Sequence, residues 1–262
     1  MLALADGFFS RLGLAQTFRW LHILSGIVWI GMLYYFNLVQ VPAFAAFGDE
    51  AKARNIALDK LTRRALWWFR WGAVSTVVMG ISITMAEKDF FKANDLGVSF
   101  GKTGNGLAIS LGMLLAIIMF LNVWGVIWRN QKVLLANAAN VLAGGEANPD
   151  APAAGRRALM ASRQNVVFSV AMLYLMVVAS HDVYLGGAAV AISSGKVGAF
   201  WAIAVVVTAV LEVNALGLMP WKAQPNKGLN KIYDGKGVQN PLIAAAAFWV
   251  IVLILCEVFL RG

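Results

Sequence analysis

The chain has 262 residues, of which 60% are hydrophobic and 13% charged, with a mean hydropathy of +0.70 and a formal net charge of +9. Apolar runs of about 17 or more residues recur along it, which one water-soluble core does not require, so the composition predicts an all-α integral membrane protein. The positive charge reads as attraction of loops to anionic lipid heads rather than nucleic-acid binding, because no basic stripe with interleaved aromatics stands on a soluble domain.

One transmembrane helical domain is expected over residues 1–262, with about six spans. Residues 1–16 carry Asp6 and Arg11 and too little apolar length to cross, so they read as an interfacial segment. The first run, 20–40, holds His22, Gly26, Asn37 and Gln40, and the second, 65–86, holds Arg70. Trp67, Trp68 and Trp71 beside Arg63, Arg64 and Arg70 form an interfacial anchor. The third run, 106–128, contains Asn122. After it, a long connection over 130–163 reads as a turn between two helical extensions. The fourth run, 164–181, ends in Ala179-Ser180-His181. The short apolar stretch Gly186–Ser194 reads as a loop, with a re-entrant segment as the alternative. The fifth run, 197–217, carries Thr208, Glu212 and Asn214, and the sixth, 240–260, carries the single cysteine, Cys256, and Glu257, a surface partner for Arg261.

Positive residues near span ends favour the cytoplasmic side. The first, third and fifth connections hold fourteen Lys and Arg, whereas both termini with the second and fourth connections hold seven. Both termini are therefore expected outside, and the 130–163 connection in the cytoplasm.

Polar residues within spans are costly to bury and so are candidates for function. His22 and His181 are the only histidines, both lie at span ends, and the assigned topology gives them the same outer leaflet. That pairing suits two axial imidazoles on one b-type haem, with Gly26 one turn below His22 leaving room for a macrocycle or for close helix packing. For each histidine alone an ordinary interfacial hydrogen bond is the favoured reading. With a single cysteine, neither a C-x-x-C-H haem attachment nor a cysteine zinc cluster can form within the chain. A second group gathers toward the cytoplasmic ends: Asn37, Gln40, Arg70, Asn122, Glu212 and Asn214. Thr208 and Glu212 share a helix face, and Arg70 is a candidate partner for the Glu212 carboxylate. Glu212, Arg70 and Asn37 then form either a substrate or proton site or a buried ion pair that locks the bundle.

The segments Trp20-Leu-His-Ile-Leu-Ser-Gly-Ile-Val-Trp-Ile-Gly31, Tyr34-Tyr-Phe-Asn37 and Asn122-Val-Trp-Gly-Val-Ile-Trp-Arg-Asn-Gln-Lys132 resemble the membrane domain of the bacterial membrane-bound urate oxidase (urate hydroxylase) family. So do Arg156-Arg-Ala-Leu-Met-Ala-Ser-Arg-Gln-Asn165, Met176-Val-Val-Ala-Ser-His181 and Leu211-Glu-Val-Asn-Ala215, which extends the resemblance over about Trp20 to Ala215. It implies a multi-pass redox domain of the bacterial inner membrane, acting on urate or a related substrate. Members of that family normally continue into a C-terminal cytochrome c domain. This sequence ends at Gly262, so the expected electron acceptor is a separate cytochrome c on the outer side. The alternative from a different class is a cofactor-free accessory subunit of a larger respiratory or photosynthetic complex.

Overall fold

The computed structural model describes residues 7–87, 90–92, 97–180, 191–220, 227–234 and 237–261, and of Ser180 only the backbone. Six helices are long and apolar enough to cross a membrane. They are α1 (Arg11–Ala46), α2 (Ala51–Ala86), α3 (Gly104–Leu142), α4 (Ala151–Ser180), α5 (Ser194–Ala215) and α6 (Gln239–Leu260). No strand occurs among the described residues.

The helices overrun the apolar runs because helix formation does not stop where hydrophobicity does. α1 begins at Arg11, where the Ser10 hydroxyl accepts from the Gly13 amide at 3.0 Å, a conventional N-cap. Residues 11–16 therefore continue the first spanning helix, and residues 1–6 of the expected interfacial segment lie outside the described residues. In the 130–163 connection, α3 extends to Leu142 and α4 starts at Ala151. Only a short turn remains, entered through Gly144 at φ 88°, a backbone angle that favours glycine. The expected turn between helical extensions is thus the one observed. Most of Gly186–Ser194 lies outside the described residues, and α5 begins at its last position.

Four of the six helices contain a π-helical turn, at Tyr35–Gln40 in α1, Leu58–Thr62 in α2, Asn122–Ile127 in α3 and Cys256–Leu260 in α6. Such turns are rare and concentrate at functional positions. Those of α1 and α3 carry the buried Asn37 and Asn122.

α4 is the central helix: 72% of its most apolar window is buried, against 50% for α3 and 22–28% for the others. It packs against α1, α3, α5 and α6. α1 and α2 form a tight hairpin with each other and touch the rest more sparingly. Gly72 permits this approach, since a Cβ there would lie 3.2 Å from the Trp29 backbone nitrogen. The end of the bundle that carries the first, third and fifth connections is called the basic end below. Large apolar side chains on the perimeter stand exposed, Ile27 and Val206 among them, as a lipid-facing surface requires.

Candidate functional site

Four consecutive polar residues, Ser162-Arg163-Gln164-Asn165, lie on α4 toward the basic end. Successive helix positions turn by roughly 100°, so four of them point around nearly the whole circumference. A helix surrounded on all sides can give each of the four a partner, and α4 does, although not every polar atom of Arg163 and Gln164 is engaged. Ser162 Oγ accepts from Asn37 Nδ2 at 2.9 Å, on α1. Arg163 donates to the backbone carbonyl of Tyr233, in the short helical turn Lys231–Asp234. The Tyr233 hydroxyl donates to Gln164 Oε1. Asn165 accepts from Asn122 Nδ2 at 3.0 Å and donates to the Met119 carbonyl at 3.0 Å, both on α3.

Asn122 gives its second amide hydrogen to Glu212 Oε2 on α5 at 3.2 Å. Because the Met119 carbonyl can only accept, Asn165 must present its own carbonyl oxygen to Asn122, which fixes the Asn122 amide as a donor toward Glu212. Asn37 also donates to the Leu33 carbonyl one turn back, at 2.9 Å. Asn37, Glu212 and Asn122 therefore belong to one polar girdle around α4. Within it, Asn37 Oδ1 and Gln164 Nε2 are buried without a partner.

Arg70 is elsewhere. Its guanidinium carbon sits 3.4 Å from the Trp128 ring centroid and 5.4 Å from that of Trp124, and its Nε donates to the Leu66 carbonyl at 3.1 Å. Asn122 and Trp124 are two positions apart on α3, on roughly opposite sides of the helix. α3 thus stands between Arg70 and Glu212, and the expected ion pair does not form. A stacked guanidinium is satisfied by the electron-rich ring faces instead. Glu212 has no cationic partner among the described residues.

The basic end is closed by Tyr233, fully buried, and by Asp234, which pairs with Arg156 at 2.6 and 2.8 Å. Burial, and next the charge of Glu212, push the Tyr233 hydroxyl well above the ordinary tyrosine range, against a smaller opposing hydrogen bond with Asn214. Neither Tyr233 nor Gln164 stands out in the sequence. The one available signal was the run of four polar residues on an apolar helix.

His22 lies in the seam between α1 and α2, where Nδ1 donates to the Thr76 carbonyl at 2.7 Å. A carbonyl only accepts, so Nδ1 carries the hydrogen and Nε2 carries the lone pair of a neutral ring. The ring lies against Gly80, where a Cβ would come 3.2 Å from Cε1. Below it Ser25 and Ser75 share a hydrogen bond of 2.7 Å, and above it Arg19 pairs with Glu87. A Cβ at Gly26 would lie 3.9 Å from Thr76 Cγ2, an ordinary contact, so the glycine that accommodates the imidazole is Gly80. His181 lies outside the described residues. No cluster of three or more metal-ligating side chains occurs among the described residues.

Comparison with protein-family models, curated proteins and solved structures finds no match to this chain.

Of the remaining expectations, Glu257 pairs with Arg261 at 2.8 Å and Cys256 is buried. Trp67, Trp68 and Trp71 are about half exposed on α2, as an aromatic belt requires.

Proposed function

We propose that the protein is a multi-pass redox subunit of the bacterial inner membrane that holds a b-type haem through His22 and His181 and passes electrons to a cytochrome c at the outer face. The observation that carries this reading is the hydrogen bond from His22 Nδ1 to the Thr76 carbonyl. Histidines that ligate metals through Nε2 are oriented in this way, with the other nitrogen donating to a carbonyl or carboxylate. Haem bound there supplies one-electron transfer. The chain's own part is to present a neutral imidazole, hold its plane with Thr76 and accommodate its edge at Gly80.

Depth along the bundle agrees. α1 and α4 run antiparallel, since Tyr34 meets Ser169 and Asn37 meets Ser162. From the Tyr34–Ser169 contact, His22 is about 18 Å back along α1 and Ser180 about 17 Å forward along α4, taking 1.5 Å per residue. The described part of α4 thus ends at the level of His22, one residue before His181.

An absorption spectrum of the purified protein tests this directly. A Soret band with low-spin features is expected, lost in both His22→Ala and His181→Ala. A colourless wild type, or either variant retaining the low-spin features, overturns the haem assignment. Urate-dependent reduction of added cytochrome c in membranes tests the substrate class that the family resemblance suggests. Orientation is tested separately: a cysteine introduced by Asn148→Cys should resist an impermeant thiol reagent added from outside, and labelling would reverse the topology.

The second reading, a cofactor-free accessory subunit of a larger membrane complex, is favoured by the exposed apolar faces of the α1–α2 hairpin, where Ile27 and Met85 project. Co-purification of a haem-bearing partner with a featureless visible spectrum of this chain would select it.

A further inference from the structure

Two cations from different helices meet on one indole. The Arg70 guanidinium carbon lies 3.4 Å from the Trp128 ring centroid, and Lys132 Nζ lies 5.9 Å from the same centroid. Trp128 and Lys132 are four positions apart and share a face of α3, while Arg70 reaches them from α2. Positive charges held this close repel each other, and an aromatic ring offsets that only in part.

Neither cation has an acidic partner among the described residues. Arg63, seven positions before Arg70 and on the same side of α2, gives the contrast. Its Nη2 pairs with Asp59 at 2.6 Å, and Lys60 pairs with the same carboxylate at 2.8 Å, so Asp59 is already shared. Stacking on Trp128 occupies the flat face of the Arg70 guanidinium and leaves its N–H edge available. Of that edge only Nε is bonded, to the Leu66 carbonyl at 3.1 Å, and the two Nη groups are neither bonded to a described residue nor buried. Lys132 is exposed.

Depth selects the class of anion that fits. Arg70 stands roughly 8 Å inside the apolar run that begins at residue 65, taking 1.5 Å per residue. Leu66 is one turn nearer the basic end, so the bond to its carbonyl turns the Arg70 side chain toward that end. The half-exposed Trp67, Trp68 and Trp71 mark the interface on the same helix. The charge is thus delivered at the level of lipid phosphates. We propose that Arg70 and Lys132 together hold the phosphate of an anionic phospholipid in the leaflet at the basic end. The two Nη groups of Arg70 donate to two phosphate oxygens, a match of fork to phosphodiester, and Lys132 Nζ donates to one of them. A headgroup with its own ammonium brings a third cation to a place where the nearby carboxylate is already shared, so a glycerol headgroup is the better fit. The site involves neither His22 nor Glu212 and is independent of the haem reading.

Native mass spectrometry of the purified protein incubated with equal amounts of phosphatidylglycerol and phosphatidylcholine tests the assignment. Phosphatidylglycerol should be retained in preference by about fivefold or more, the scale of one basic residue against an anionic membrane surface. Lys132→Gln and Arg70→Gln should each lower that preference severalfold. Arg70→Lys, which keeps the charge without the fork, should fall between Arg70→Gln and the wild type. Lys227→Gln removes an exposed cation from the connection between α5 and α6 at the same end of the bundle and should leave the preference unchanged. Should Arg70→Gln fail to assemble, Lys132→Gln set against Lys227→Gln decides. Equal retention of the two lipids, or a loss in Lys227→Gln as large as in Lys132→Gln, would overturn the proposal by showing only diffuse attraction. Displacement of the lipid by millimolar inorganic phosphate would overturn it by assigning the site to a soluble anion.

Discussion

The seam between α1 and α2 and the girdle around α4 both set polar side chains among apolar helices, but the seam joins two neighbours and the girdle joins the whole bundle. In the seam each contact stands largely alone: Ser25 with Ser75, His22 with the Thr76 carbonyl, Arg19 with Glu87. In the girdle the contacts share atoms, so that Met119, Asn165, Asn122 and Glu212 form one chain of hydrogen bonds. Removing a link from a shared chain leaves buried groups unpaired on both sides, whereas removing an isolated contact leaves fewer. Hydrogen bonds inside membrane bundles average well under 2 kcal/mol each, so the contrast should show in stability only where several fail together.

Asn165→Leu should show the largest effect. It deletes two buried hydrogen bonds and leaves an Asn122 amide hydrogen unpaired, at a cost of about 2–3 kcal/mol in reversible unfolding in mixed micelles. Ser25→Ala, its counterpart in the seam, should cost under about 1 kcal/mol. Equal losses would show that the girdle is no more cooperative than the seam.

Packing in the seam sharpens the comparison. Gly72→Val places a side chain against the Trp29 backbone, which cannot yield without parting the helices, and overpacking of this kind costs about 1–3 kcal/mol. Gly26→Ala meets only Thr76 Cγ2 at 3.9 Å, an ordinary contact, and should change stability by less than about 0.5 kcal/mol. A large effect at Gly26 would restore the reading in which that position must stay open. Gly80→Val should displace the His22 ring, and in a haem-bearing protein the visible spectrum should change with little loss of helix content by circular dichroism.

The smallest expected effect is at alkaline pH. The Tyr233 hydroxyl is held above the ordinary value of 10.0, so the folded state keeps a proton that the unfolded state releases. Its contribution to stability is fully present below pH 10.0 and falls as pH rises beyond it. Tyr233→Phe should flatten the wild-type decline in that window, measured as the difference between the two unfolding curves so that lysine titration cancels. An unchanged slope would show that Tyr233 titrates normally.

Much of this architecture is legible from hydropathy alone. Six apolar runs became six long helices, and the turn between the extensions of α3 and α4 was visible in Gly144-Gly145 and Pro149. The helix ends were less legible, because the Arg11–Gln16 segment and the extension of α3 past residue 128 are too polar to register as spans but contain no proline. In the candidate site, the membership of Asn37, Asn122 and Glu212 followed from their being polar within spans. The pairing of Glu212 with Arg70 did not survive, since charge complementarity in a sequence says nothing about which helix stands between two residues.

The sequence by itself determined the number of helices long and apolar enough to span, the asymmetry of positive charge between their ends and the identity of the polar residues among them, because each depends on local composition. Only the tertiary structure decided that α4 is central, that Ser162 to Asn165 each find a partner on a different side of it, that Arg70 stacks on Trp128 and that Gly80 rather than Gly26 accommodates His22. The physical reason is that an apolar helix carries little directional information along its length: α5 and α6 are hydrophobic nearly all round, so their neighbours are selected by side-chain shape and hydrogen-bond pairing between helices far apart in the chain.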